Sequence, residues 1–257
     1  MSQQSNNIYR SRRVAIFIPK GGVGKTTTAV NLAAALRVNH GKRVLLVDFD
    51  PQASATAFLG VDPETVERNI NHLLNDVRVQ TREVITQTES GVDLLPSHPD
   101  LAENIPSMKG PRYQIVRDIL EPIEEDYDYI IIDSPPQESG LTWNILAYAK
   151  EIVVPLEAHY LSVRGLADAL SKLEIARGIN PDLQIKGILL TKVNLGVNIH
   201  KTYIEQVRRH APQLVYPFMV GLTVVHQEAA SAGQPIILYD PAHSGSIVYD
   251  QLAREFL

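Results

Sequence analysis

The chain contains no cysteine and a single tryptophan. Without thiols it can form neither a disulfide nor a cysteine-ligated iron–sulfur cluster, and a cysteine-free sequence fits a reducing compartment. It also lacks an apolar stretch long enough to span a bilayer as a helix. The first residues, Met1 to Asn7, are polar where a secretory leader would be apolar. They read as a short disordered lead, residues 1–12, ahead of one domain at 13–257 in a cytoplasmic protein. Excess positive charge is missing too: 24 Lys and Arg against 29 Asp and Glu leave −5, a balance unlike that of a dedicated nucleic-acid binder. There is no linker after the lead, no internal repeat and no low-complexity tract. At 257 residues and 44% hydrophobic, the chain has the material for one large core.

Apolar runs near 14–18, 44–48, 92–95, 129–133, 152–156 and 185–190 have the length and composition of strands, most of them buried on both faces. Helical patterns lie between them, at roughly 26–39, 65–75, 112–121, 140–149, 163–177 and 200–210. The alternation predicts an α/β fold: a single-domain, doubly wound, predominantly parallel β-sheet with helices on both faces. Ligands of such sheets sit beyond the carboxyl ends of the strands. Pro19–Thr28, Asp48–Gln52 and Asp133–Pro136 each follow a strand and are therefore expected at one edge.

The first of these segments carries the most information. Lys20-Gly21-Gly22-Val23-Gly24-Lys25-Thr26-Thr27 joins a strand to a helix, the context of a phosphate-binding loop. Its glycines let backbone N–H groups converge on phosphate, and the helix N-terminus adds partial positive charge. In that reading Lys25 reaches the β- and γ-phosphates of a nucleotide and Thr26 coordinates Mg²⁺. The form is unusual, because Pro19 stands where the motif has its first glycine and a second lysine, Lys20, follows it.

That second lysine gives the loop a family likeness. K-G-G-V-G-K-T-T resembles the deviant Walker A loop of the ParA/MinD group of P-loop ATPases, and within it the partition ATPases of the ParA/Soj kind. The likeness continues in order along the chain. Gly41–Gln52 looks like the second strand and its acidic end, and Tyr127–Pro136 like the Walker B strand and the start of a switch loop. Gly187–Asn194 and Ser231–Ile236 match later segments. The resemblance implies that Lys20 crosses a dimer interface to the nucleotide of the partner subunit, so that Lys20 and Lys25 both serve catalysis. It also implies an ATP-dependent homodimer, a Mg²⁺-dependent ATPase, and an adaptor of the ParB kind that stimulates hydrolysis. The absence of cysteine sets the chain apart from nitrogenase iron protein and the iron–sulfur carriers, which share the nucleotide fold.

Three carboxylates belong to the same edge. Asp48 and Asp133 each end an apolar strand, where a buried charge needs a cation to offset its desolvation, so both are assigned to Mg²⁺ through bound waters, with Thr26 as the direct ligand. By resemblance Asp50 positions or activates the attacking water, and Gln52 helps hold the water or the interface. The alternative reading for one of the two, Asp48 or Asp50, is a cap on the turn that follows.

The resemblance places the adenine site at Lys192–Asn194 and at the segment beginning at Pro217. There the sequence departs from the partition pattern: Tyr216–Ala230 lacks both of the usual arginines, one of which commonly contacts DNA. Residues 164–210 nevertheless carry eight Lys and Arg against four Asp and Glu. Lys172, Lys201, Arg208 and Arg209 are accordingly the candidate contacts to non-specific DNA, with Arg10, Arg12 and Arg13 either adding to them or forming a polar strand entry. The expected function is an ATP dimer that binds the nucleoid and is released by hydrolysis, moving a chromosome, plasmid or other cargo. A membrane-cycling MinD-like regulator would need a basic amphipathic C-terminal helix, whereas Ser246–Leu257 reads as a packing helix. A metabolic P-loop ligase of similar fold would lack a counterpart of Lys20. With no helix-turn-helix region ahead of the loop, operator binding is not expected.

Overall fold

The computed structural model describes residues 11–104, 113–160 and 162–257. Its centre is an eight-stranded sheet. In chain order the strands are β1 (Arg12–Ile16), β2 (Val44–Asp48), β3 (Thr86–Gln87), β4 (Asp93–Leu95), β5 (Tyr129–Asp133), β6 (Glu151–Glu157), β7 (Gln184–Val193) and β8 (Val215–Gly221). Their order across the sheet is β3-β4-β2-β5-β1-β6-β7-β8, and every pairing is parallel except β3 with β4. The all-apolar runs occupy the middle, where helices cover both faces. The six expected strands are all present, and the doubly wound parallel architecture is as the alternation predicts.

Alternate residues of each strand feed two cores. Ala15, Leu45, Val47, Ile130, Ile132, Ile152 and Val154 point to one layer, while Val14, Ile16, Leu46, Ile131 and Val153 point to the other. The first layer is closed by α3 (Ile70–Asn75), α4 (Leu101–Asn104), α5 (Ile115–Leu120), α6 (Gly140–Tyr148), α7 (Ser162–Ile179) and α8 (Asn198–His210). The second is closed by α1 (Lys25–Ala34), α2 (Ser54–Phe58), α9 (Val225–Ser231), α10 (Ile236–Tyr239) and α11 (Ser244–Arg254).

Helix α1 is the most interior, because small residues (Thr28, Ala29, Ala33, Ala34) let it lie close to the sheet. Buried Asn31 ties it down: its amide donates to the carbonyl of Thr27 (2.8 Å) and its side-chain oxygen accepts from the N–H of Ile236 (2.8 Å). The helix expected over 26–39 is α1 followed by a π-turn, Ala35–Asn39. The one expected over 65–75 is shorter. Asp62 accepts from the N–H of Glu64 and the hydroxyl of Thr65, which holds a turn, and Asn69 caps α3 by accepting from the N–H of Asn71. The C-terminal helix α11 buries Tyr249, Leu252 and Ala253, as a packing helix should. Strand β1 begins at Arg12, so the polar lead stops short of residue 12; residues 1–10, with Arg10, lie outside the described residues.

Candidate nucleotide-binding site

The loops after β1, β2 and β5 converge at the carboxyl edge of the sheet, joined by those after β7 and β8. Between them lies a cavity of about 620 Å³ lined by Gly21, Gly22, Gly24, Lys25, Thr26, Thr27, Asp50, Gln52, Pro136 and Lys192, with α2 and α9 forming its far wall.

The loop after β1 is shaped by glycine where the backbone demands it. Gly22 (φ 72) and Gly24 (φ 89) lie in the left-handed region, and Gly24 is the residue from which α1 departs. The hydroxyl of Thr191 on β7 donates to the carbonyl of Val23 (2.8 Å), fixing the loop to the sheet. Val23 itself is buried and turned into the core, so its part in the loop is played by the backbone. The ammonium of Lys25 is buried and donates to the carbonyl of Lys20 (2.6 Å). Desolvation lowers its pKa, against the opposing pull of Asp133 and Asp50. Lys20 is half-buried and does not line the cavity, which leaves its side chain without a place in this subunit's own pocket.

Asp48 and Asp133 are neighbours in register on β2 and β5, and both are buried. The carboxylate of Asp48 accepts from the N–H of Asp50 (3.0 Å), the N–H of Thr56 (2.8 Å) and the hydroxyl of Thr56 (2.8 Å). Burial pushes it up to about 6, in spite of those three donors. In Asp133 one oxygen accepts from the hydroxyl of Thr26 (2.7 Å) and the other, Oδ1, is buried with no partner. Burial, and then the charge of Asp48, hold Asp133 well above the usual carboxylate range. The two are therefore not equivalent. Asp48 is saturated by the turn that follows it, and Asp133 has an acceptor to spare beside Thr26. Asp50 reaches the cavity wall, with one oxygen accepting from the N–H of Gln52 (3.0 Å).

The second cavity, about 330 Å³, adjoins the first at Gly24, Thr27, Lys192, His226 and Gln227. Lys192 (φ 51) lines both. Pro217 does not line either one: it is exposed near the start of β8, and the strand delivers Val220, Gly221, Leu222 and Thr223 to the site instead. The strand runs on past Pro217 for another four residues, so its carboxyl end and not Pro217 reaches the cavity. Sequence reasoning also missed His226 and Tyr249. Both ring nitrogens of His226 are buried without partners, and its ring packs edge-on against His243 and Tyr249 at 6.1 and 5.9 Å. Burial, then the neighbouring His243, lower its pKa to about 4.

The basic segment does not form one face. Lys172 is ion-paired with Glu138 (2.9 Å) and Asp168 (3.3 Å), so it has no charge to spare for phosphate. Arg177 pairs with Glu174, Lys186 lies over the ring of Phe256, and Lys192 turns to the cavity. Lys201, Arg208 and Arg209 remain exposed on α8, with Arg209 3.7 Å from Glu205. Arg12 is bound to Glu151 (2.6 Å) and Arg13 is buried against Glu124 (3.2 Å), so the pair forms the polar strand entry.

The chain is similar to known proteins over nearly its whole length. Residues 11–185 match the AAA domain family. The chain is 39% identical to the sporulation initiation inhibitor protein Soj of Bacillus subtilis over 94% of its own length and 96% of that protein's. It is 40% identical to the chromosome partitioning protein ParA of Myxococcus xanthus, over 96% and 88%, and 40% identical to the chromosome-partitioning ATPase Soj of Thermus thermophilus, over 96% and 95%. Among solved structures, cobyrinic acid a,c-diamide synthase of Mycobacterium smegmatis with bound ADP and magnesium superposes with a TM-score of 0.82 at 30% identity, covering 95% of this chain and 93% of that one. The McdA protein of Cyanothece without nucleotide does so with 0.83 at 25% identity, over 95% and 98%. The phosphate-binding loop, the paired strand-end aspartates and this full-length similarity place the chain in the Soj/ParA family of partition ATPases.

Proposed function

We propose that the chain is a Mg²⁺-dependent ATPase that forms a homodimer when it binds ATP, associates with non-specific DNA in that state, and is released when an adaptor stimulates hydrolysis. The observation that carries the reading is the convergence of Lys25, Thr26 and Asp50 on one cavity, with buried Asp133 bonded to the Thr26 hydroxyl behind it. Lys25 leaves the carbonyl of Lys20 to bind the β- and γ-phosphates, and the loop's N–H groups hold the remaining phosphate oxygens. No cluster of three His, Asp or Glu side chains suited to a metal occurs among the described residues. Thr26 and Asp133, joined by a 2.7 Å hydrogen bond, fit a Mg²⁺ ion: the Thr26 hydroxyl would hold it directly and the unpartnered oxygen of Asp133 would hold it through water. The ion supplies charge neutralisation on the phosphates. Asp50 orients the attacking water, and positioning of this kind, together with the two lysines, is the protein's contribution to phosphoryl transfer. Lys20 has no role in its own pocket and reaches the nucleotide of the partner. Residues 13–257 act as one unit.

The relatives named for chromosome partitioning support nucleoid DNA as the surface, and exposed Lys201, Arg208 and Arg209 are the groups that would meet it. No helix among the described residues is long and apolar enough to cross a membrane, and α11 spends its apolar face on the core. Steady-state hydrolysis tests the assignment. Wild type should turn ATP over only with Mg²⁺, Lys25→Ala should lose nucleotide binding, and Asp50→Ala should bind ATP but lose turnover. Hydrolysis at the wild-type rate by Asp50→Ala would refute the role given to that carboxylate.

A further inference from the structure

The turn that carries Asp50 is held from behind by side chains that never reach the cavity. Asp48, Thr56 and Ser97 are buried at 0% exposure. The N–H of Ser97, in the loop after β4, donates to the hydroxyl oxygen of Thr56 (3.0 Å). With its oxygen accepting there, the Thr56 hydroxyl must direct its own proton to Asp48, 2.8 Å away. Asp48 in turn accepts the N–H of Asp50 (3.0 Å). From the other side the hydroxyl of Ser97 donates to the carbonyl of Asp50 (2.7 Å), which also accepts the N–H of Ala53 (2.8 Å). The peptide groups on both sides of the Asp50 side chain are thus clamped. The turn is completed by Ala53 at φ 50, a conformation that residues other than glycine hold only where their surroundings impose it. With these side chains fully buried, each of these bonds is held in a low-dielectric setting where its loss is costly.

We propose that Ser97 and Thr56 are positioning residues for Asp50, setting the rate of hydrolysis without taking part in nucleotide binding. The inference rests on the reading of Asp50 given under the proposed function. Ser97 acts on the Asp50 carbonyl directly, and Thr56 acts on the Asp50 N–H by way of Asp48. Neither lines the nucleotide cavity. A small displacement of a group that orients the attacking water lowers the chemical step while leaving the phosphate contacts alone.

The test is a comparison of Ser97→Ala, Thr56→Val, Thr56→Ser and Asp50→Ala with wild type, reading kcat, KM, ATP affinity and melting temperature. Ser97→Ala and Thr56→Val should lower kcat about tenfold or more with KM and ATP affinity unchanged. Thr56→Ser, which keeps the hydroxyl, should stay close to wild type. Should Thr56→Val fail to fold, Ser97→Ala with Thr56→Ser carries the same contrast. The proposal is overturned if Ser97→Ala turns over at the wild-type rate, if kcat and ATP affinity fall together, or if Thr56→Ser loses as much as Thr56→Val. Wild-type turnover by Asp50→Ala would instead remove the reading of Asp50 itself. An inactive Asp50→Ala beside a fully active Ser97→Ala would overturn only the positioning role.

Discussion

Asp48 and Asp133 stand side by side on adjacent parallel strands, both buried, yet one has both oxygens engaged by donors and the other has an unpartnered buried oxygen. A carboxylate that already binds three donors of its own turn is a brace. One with an unpartnered oxygen beside the Thr26 hydroxyl is built for something that arrives later. This divides the two residues that the sequence assigned alike to Mg²⁺, and it favours the turn-capping role for Asp48.

The division is testable through stability. Asp48→Ala strands buried donors of Asp50 and Thr56, and loss of a buried partner costs about 1–3 kcal/mol. Asp133→Asn removes a buried negative charge that desolvation and Asp48 oppose in the nucleotide-free protein, so it should melt at or above the wild-type temperature and lose the stabilisation given by Mg²⁺ and ATP. Urea unfolding of both variants, with and without nucleotide, decides. A reversed order, with Asp133→Asn the weaker fold and Asp48→Ala unaffected, would contradict the division.

On α8, Arg208 and Arg209 are exposed at the C-terminal end, whereas Lys172 on α7 is held by Glu138 and Asp168. The Arg208→Ala, Arg209→Ala double variant should therefore weaken binding of the ATP-bound protein to unrelated duplexes and flatten its salt dependence, since each lost phosphate contact removes about 0.9 from the log–log slope. Lys172→Ala should change neither. Titration by interferometry at several salt concentrations reads both quantities. Equal losses from the two variants would show that the face extends to α7.

His226 makes stability depend on pH. Its pKa in the folded protein, about 4, lies below the ordinary 6.5, so the unfolded chain binds a proton that the folded one refuses. Its contribution is fully present above pH 6.5 and is lost as the pH falls toward 4, reaching about 2 kcal/mol at pH 5. His226→Leu should narrow the gap in melting temperature between pH 7.5 and pH 5. The same gap in variant and wild type would show that His226 does not carry the pH response.

The parts of the fold that could be read in the sequence are those where one physical pattern dominates. Continuous apolar runs revealed six of the eight strands, and the glycines and lysines of residues 20–25 revealed the phosphate loop. Strand β8 was not legible, since Pro217 interrupts it and only its edge position makes that proline tolerable. Helices α2, α9 and α10 are too short to show a period, and the first two, with His226 on α9, supply the far side of the cavity. The saturation of Asp48 depends on Thr56 and Ser97, which no local spacing connects to it. Net charge over 164–210 misled in one respect: it counts cations irrespective of the carboxylates folded against them, as at Lys172.

The central claim is that ATP binding creates a dimer because Lys20 belongs to the partner's nucleotide. Sedimentation of the full chain with Mg²⁺ and a non-hydrolysable ATP analogue tests it most directly, set against nucleotide-free protein and Lys20→Ala. Wild type should pass from monomer to dimer on adding the analogue, while Lys20→Ala binds the analogue and stays monomeric. A wild-type mass that does not change on binding, or a dimer formed equally well by Lys20→Ala, would contradict the account.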